Sequence, residues 1–229
     1  MPRHIGIVAC SAEGAALCYT TLCIEGAELT GRHNHPEVSL HNFSLATYME
    51  AIYRSDWQAV ADLMLRSAEK LARVGAEFLI CPDNTIHQAF PLLEPRSPLP
   101  WLHIADQVAE EARRRGYHKL GVLGTKYLME GPVYPERLAR CGLSHLVPTD
   151  EQRRRIDQII FDELVYGQFL PQSRAWFNHV IDDLQQRGCD AVVLGCTEIP
   201  LLVIPDESPL PVLDSTRLLA RAALRRAAE

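Results

Sequence analysis

A chain of 229 residues with 47% apolar and 23% charged residues has the composition of a globular protein, either one large domain or two lobes of about 110 residues. A net charge of −6 offers no basic face to nucleic acid, and no apolar run approaches the roughly 18 residues that cross a bilayer. The chain opens directly on a strand pattern without a charged, apolar leader, and its seven cysteines lack framework spacing. The expectation is therefore a cytoplasmic protein with reduced thiols.

In chain order, apolar runs predict strands at 4–9, 37–43, 77–81, 99–103, 119–124, 144–147, 190–195 and 210–213. Helical periodicity fills most of the gaps. Residues 57–73 carry Trp57, Val60, Ala61, Met64, Ala68 and Leu71 on one face, and 105–115, 151–167, 173–187 and 215–228 are similar. Arg73, Arg115 and Arg187 precede Gly75, Gly116 and Gly188, a basic last turn with a glycine stop. Cys18 and Cys23 have the spacing of a helical packing face, and His33-Asn34-His35 reads as a surface loop without metal-ligand spacing. Alternation of strand and helix predicts an α/β fold of parallel sheets flanked by helices.

The chain also repeats itself. Gly75-Ala76-Glu77-Phe78-Leu79-Ile80-Cys81-Pro82-Asp83-Asn84-Thr85 matches Gly188-Cys189-Asp190-Ala191-Val192-Val193-Leu194-Gly195-Cys196-Thr197-Glu198. The segment 5–10 matches 120–125, and 99–103 matches 210–214. Three matches in order, at a shift near half the chain, imply an internal duplication rather than a short array repeat. Lobe 1 is expected at 1–98 plus about 210–229, and lobe 2 at 99–209, with an uncertain crossover.

Ligands in such sheets bind beyond the carboxyl ends of strands. Four polar clusters fall there: Cys10-Ser11, Asp83-Asn84-Thr85, Thr125-Lys126 and Cys196-Thr197-Glu198. Hydroxyls and backbone N–H groups at helix starts suit a small carboxylate without metal or nucleotide.

With these segments, Cys-Pro-Asp-Asn-Thr-Ile-His (81–87) and Leu-Gly-Cys-Thr-Glu-Ile-Pro-Leu-Leu (194–202), the chain resembles the aspartate/glutamate racemase family over its whole length. The resemblance implies two pseudo-symmetric α/β lobes with the active site in the cleft between them. It also implies independence of pyridoxal phosphate, no other cofactor, an amino-acid or small carboxylate substrate, and often a homodimer. Two thiols exchange the α-proton in that family, and Cys196 matches the second. At the first stands Asp83. The resemblance makes Asn84, Thr85 and Thr125 carboxylate contacts, with Ser11, Lys126, Thr197, Glu198 and Arg54 as further substrate-binding candidates; Lys126 and Arg54 read equally as exposed cations.

Asp83 reads as a base, a ligand for the substrate ammonium group or a helix N-cap. Cys81 reads as a buried strand thiol. His87 supports the Asp83 loop, and His103 and Asp214 occupy matching positions. The first loop, Ala9-Cys10-Ser11-Ala12-Glu13-Gly14, lacks the family's glycine pair, which leaves the natural substrate open. The expectation is a racemase or epimerase that uses Cys196 and Asp83. The alternatives are a one-cysteine decarboxylase or an isomerase of the same superfamily, and a non-catalytic dicarboxylate-binding protein.

Overall fold

The computed structural model describes residues 2–229. The strands are β1 (Ile5–Ala9), β2 (Val38–Asn42), β3 (Phe78–Ile80), β4 (Trp101–Leu102), β5 (Lys119–Leu123), β6 (Ser144–Leu146), β7 (Ala191–Leu194) and β8 (Val212–Asp214). The helices are α1 (Ala12–Thr30), α2 (Leu45–Tyr53), α3 (Trp57–Arg73), α4 (Phe90–Leu93), α5 (Ile104–Arg114), α6 (Lys126–Met129), α7 (Pro135–Arg140), α8 (Asp150–Asp162), α9 (Pro171–Gln186), α10 (Ile199–Leu202) and α11 (Ser215–Ala227).

All eight expected strands form, in two parallel four-stranded sheets ordered β2-β1-β3-β4 and β6-β5-β7-β8. The helix expected at 57–73 forms as α3 over those residues, because its apolar stripe packs inward while Asp56 caps Ala59 N at 3.0 Å. Gly75, Gly116 and Gly188 all have positive φ, the backbone state that ends a helix at glycine. The helix expected through 167 ends at Asp162 and continues as a 3₁₀ turn at Leu164–Tyr166. Of α1 only the Cys18 and Cys23 spacing was legible in the sequence. Its buried face is built largely from small residues, Gly14, Ala15, Cys18 and Gly26, so no strong apolar stripe marks it.

The chain divides into Met1–Ile104 with Thr216–Glu229, and Ala105–Ser215. The chain crosses between these units at 104/105 and 215/216. The cause is pairing: β4 registers on β3 through Leu79↔Trp101, and β8 on β7 through Val192↔Val212. Each last strand therefore stays with its own sheet, and the chain leaves only afterwards. In the first unit Ile5, Ile7, Phe78 and Ile80 pack with Leu22 of α1 and Leu219 and Ala223 of α11. In the second, Val192 and Leu194 pack with Ile156 and Ile160 of α8 and with Phe177, Ile181 and Leu184 of α9.

The repeat is legible in the hydrogen bonds. Glu77 accepts His4 N at 3.0 Å and returns its own N–H to the His4 carbonyl at 2.9 Å. Asp190 accepts His118 N and Lys119 N at 2.7 and 3.1 Å and returns its N–H to the Lys119 carbonyl at 2.9 Å. In each sheet the order reverses between the first and third strands of the unit, at β1/β3 and β5/β7. A crevice opens at the carboxyl ends of strands at such a switch point. The polar clusters of the sequence leave those four strands.

Candidate active site

In the first unit the centre is Asp83. β3 ends at Ile80, and the chain turns through Cys81 and Pro82 into a 3₁₀ segment at Thr85–Ala89. The carboxylate reaches back to the turn after β1. Its Oδ2 accepts Cys10 N at 3.1 Å and its Oδ1 accepts Ser11 N at 3.2 Å. Both donors lie in the turn that leads into α1, so Asp83 ties that turn to the end of β3. Beside the readings of Asp83 as base, ammonium ligand or cap, the structure shows a clamp across two loops.

His87 holds the same turn from behind. Its Nε2 accepts Ile104 N at 3.4 Å, so Nδ1 carries the proton and donates to the Asp83 carbonyl at 2.9 Å. The ring stacks on Phe90 and meets His103 edge-on at 4.5 Å between centroids. His87 is buried and spends both nitrogens on the backbone, which makes it a support for the loop. Cys81 is fully buried, and its thiol donates to the Asp83 carbonyl at 3.7 Å. Burial, then the nearby Asp83 charge, push that thiol well above the ordinary range, so it stays protonated. Tyr48 of α2 is also fully buried, and burial followed by Cys10 and Cys81 raises its phenol. Asn84 is buried and Thr85 half-buried on the turn. Arg54 is exposed at the end of α2, and no hydrogen bond or ion pair among the described residues joins it to this cluster.

In the second unit the centre is Cys196, one turn past β7. Its half-exposed thiol donates to Glu198 Oε2 at 2.9 Å, and Thr197 Oγ1 donates to the same oxygen at 2.8 Å. Glu198 is only 2% exposed. Gly195 shapes the approach. Its N–H reaches the Leu123 carbonyl at 2.7 Å, and a Cβ there would lie 2.8 Å from that carbonyl oxygen. Only glycine lets the ends of β5 and β7 close this tightly beneath the thiol.

Thr125 is buried at the end of β5 and caps α6 through Leu128 N at 3.3 Å. Lys126 is exposed, with its ammonium 5.1 Å from the ring of Tyr127. Its backbone N–H goes to Asp157 Oδ1 of α8 at 2.9 Å. Some backbone N–H groups of these two turns are already engaged within the chain. Ser11 N and Lys126 N, matching positions in the repeat, each already hold a carboxylate of the chain. The acid at 157 lies outside the repeated segments, so the sequence carried no signal for it.

Each unit thus sets one candidate reactive group and one buried support beyond its switch point. Cys196 and Asp83 occupy matching repeat positions, and each carries its own hydrogen-bond system. Among the described residues no group of three or more His, Cys, Asp or Glu could hold a metal ion, and no helix is long and apolar enough to cross a membrane.

Comparison with known proteins places this arrangement. The chain is 31% identical over 99% of its length to a Yersinia pestis protein provisionally described as an Asp/Glu racemase, with a TM-score of 0.90 over 100% of that chain. An aspartate racemase homologue from Pyrococcus horikoshii superposes with a TM-score of 0.84 at 28% identity, with both chains fully covered. The broad specificity amino-acid racemase RacX of Bacillus subtilis is 22% identical over 74% of this chain and 73% of its own. Glutamate racemase of Pseudomonas aeruginosa is 28% identical over 73% of this chain, a match that spans 62% of that enzyme's length. The family model for Asp/Glu/hydantoin racemase matches residues 6–223, and the chain belongs to that family.

Proposed function

We propose that this protein is a cofactor-independent racemase or epimerase for aspartate, glutamate or a related small amino acid, with Cys196 and Asp83 serving one face of the α-carbon each. The observation that carries the reading is the pair of matching strand-end positions. One holds a thiol on a buried carboxylate, and the other holds a carboxylate on two backbone amides. The racemase names of the relatives support the reaction type.

In this reading Asp83 removes the α-proton and leaves the electron pair on the α-carbon, delocalised into the substrate carboxylate. The Cys196 thiol then gives its proton to the opposite face. The reverse turnover runs from the Cys196 thiolate and protonated Asp83. Between turnovers of one enantiomer, solvent resets the two protons. Asn84, Thr85, Thr125 and Thr197 supply polar contacts for the substrate carboxylate, and Ser11, Lys126 and Arg54 are proposed as peripheral ligands. A homodimer is proposed on the family resemblance.

The test is α-proton exchange followed by NMR in deuterated water, with L- and D-aspartate and L- and D-glutamate and no added cofactor. Exchange with inversion that disappears in Cys196→Ala supports the reading. The engagement of both Asp83 oxygens by amides favours a second reading, in which Cys196 alone protonates an enediolate after decarboxylation. No exchange with any of the four, together with release of carbon dioxide from a malonate-type acid, would select it, whereas exchange with retention would mean that Asp83 does not complete the second transfer.

A further inference from the structure

Glu198 stands among the substrate-binding candidates of the sequence, yet its contacts are with the protein. Oε2 takes the Cys196 thiol at 2.9 Å and the Thr197 hydroxyl at 2.8 Å. The side chain is 2% exposed, whereas the thiol is half-exposed. Among the described residues no lysine, arginine or histidine forms an ion pair with this carboxylate. Both the thiol and the hydroxyl donate to this one oxygen, so the carboxylate sits one hydrogen bond from the sulfur.

We infer that Glu198 is a positioning residue that holds Cys196 in its protonated, proton-donating form. Two physical effects act together. A carboxyl group is intrinsically about four pH units more acidic than a thiol, so the shared proton belongs on sulfur. A thiolate formed there would be a second negative charge against the first, in a site where solvent screens poorly.

Other titratable groups lie on the elements packed against this turn. Tyr134 is kept neutral by burial. Asp214 ends β8 in register with Leu194, and Lys126 is exposed at the start of α6, with Asp157 on its backbone N–H. None of them donates to Glu198.

The resting protein then carries its proton on Cys196, while the donors on Asp83 favour the anionic carboxylate there. For catalysis, and resting on the racemase reading, this makes the free enzyme ready for the enantiomer whose α-proton Asp83 takes. The thiol chemistry itself does not depend on that reading, so the two fail separately.

The experiment is the rate of iodoacetamide alkylation at Cys196 between pH 6 and 10, followed by mass spectrometry of the peptide that contains it. In the unaltered protein the midpoint of the profile should lie above the ordinary thiol value of about 8.5. In Glu198→Gln, alkylation at pH 7 should be at least about tenfold faster and the midpoint at least about one unit lower, because the like charge is gone. Glu198→Asp, which keeps the charge, should stay slow. Circular dichroism and thermal melting confirm that each variant is folded. Unchanged or slower alkylation in a folded Glu198→Gln overturns the inference, as does an unaltered protein whose midpoint lies at or below 8.5; the second outcome needs no variant. Under the racemase reading the alkaline limb of activity moves down with the thiol in Glu198→Gln. Absence of turnover in the unaltered protein, with the alkylation profile as expected, would count against racemisation alone.

Discussion

The carboxylate of Asp83 is bonded to the backbone N–H of Cys10, 73 positions earlier in the chain, at 3.1 Å. With the neighbouring bond to Ser11 N, it ties the turn after β3 to the turn after β1. Asp83→Ala removes the acceptor of two amides in a part-buried site and should cost about 1–3 kcal/mol in urea unfolding. It should also abolish inversion of the substrate. The emptied cradle is cut to the size of a small anion, so formate or acetate should restore part of the exchange activity in Asp83→Ala and none in the unaltered protein. Full activity in Asp83→Ala without added anion would reduce this residue to a structural clamp.

Cys196→Ala should lower α-proton exchange about 10²–10⁴-fold, the range for loss of a positioned acid or base. Substrate binding should change much less, because the hydroxyl and amide contacts remain. Isothermal titration beside the NMR assay separates the two effects. Full exchange activity in this variant would sink the mechanism.

Cys81 should be silent in the same assays. Its thiol is buried and pushed up, first by burial and then by Asp83, so the native protein should not be alkylated there at pH 8. The folded state keeps this proton while the unfolded chain loses it. The stability associated with Cys81 is therefore complete below the unfolded thiol value and falls as pH rises through it. Cys81→Ala should cost about 1 kcal/mol and flatten that alkaline loss. Rapid native alkylation at Cys81 would contradict its placement.

His41 of β2 should govern part of the acid sensitivity. Its Nε2 meets the Lys70 ammonium at 2.7 Å and its Nδ1 meets Ser67 Oγ at 2.9 Å. Burial, then the charges of Lys70 and Arg66, lower its protonation below the ordinary histidine range. In the window from about 6.5 downward to the folded value, the unfolded chain binds the proton and the folded chain does not. Stability is thus full above that window and is lost as pH falls through it. Melting temperatures at pH 7.5, 6.5 and 5.5 should drop more steeply for the unaltered protein than for His41→Gln.

Gly195→Ala tests the floor beneath the thiol. The added methyl would lie 2.8 Å from the Leu123 carbonyl oxygen and 2.5 Å from Leu128 Cδ2. The side chain of Leu128 can turn away, but the β5 backbone cannot, so the change should cost about 1–3 kcal/mol and displace Cys196. A melting curve with an activity assay checks both. Unaltered activity would show that the thiol does not depend on this close approach.

The sequence by itself determined the eight strands, the amphipathic helices such as Trp57–Arg73, the duplication, and the polar clusters at the strand ends that hold Asp83 and Cys196. These follow from local periodicity and from residues that lie side by side, as Cys196, Thr197 and Glu198 do. The exact crossover points, the helix Ala12–Thr30 with its weak apolar pattern and the wiring of the carboxylates were decided only in three dimensions. Asp83 meets Cys10 and Ser11 because parallel pairing of β1 with β3 brings two strand ends together across some 70 residues. Asp157 reaches Lys126 because α8 returns against the end of β5. Whether a carboxylate beyond a strand becomes a clamp, a cap or a thiol's partner depends on which donors the fold sets against it. Sequence spacing does not encode those donors when they come from another strand or helix.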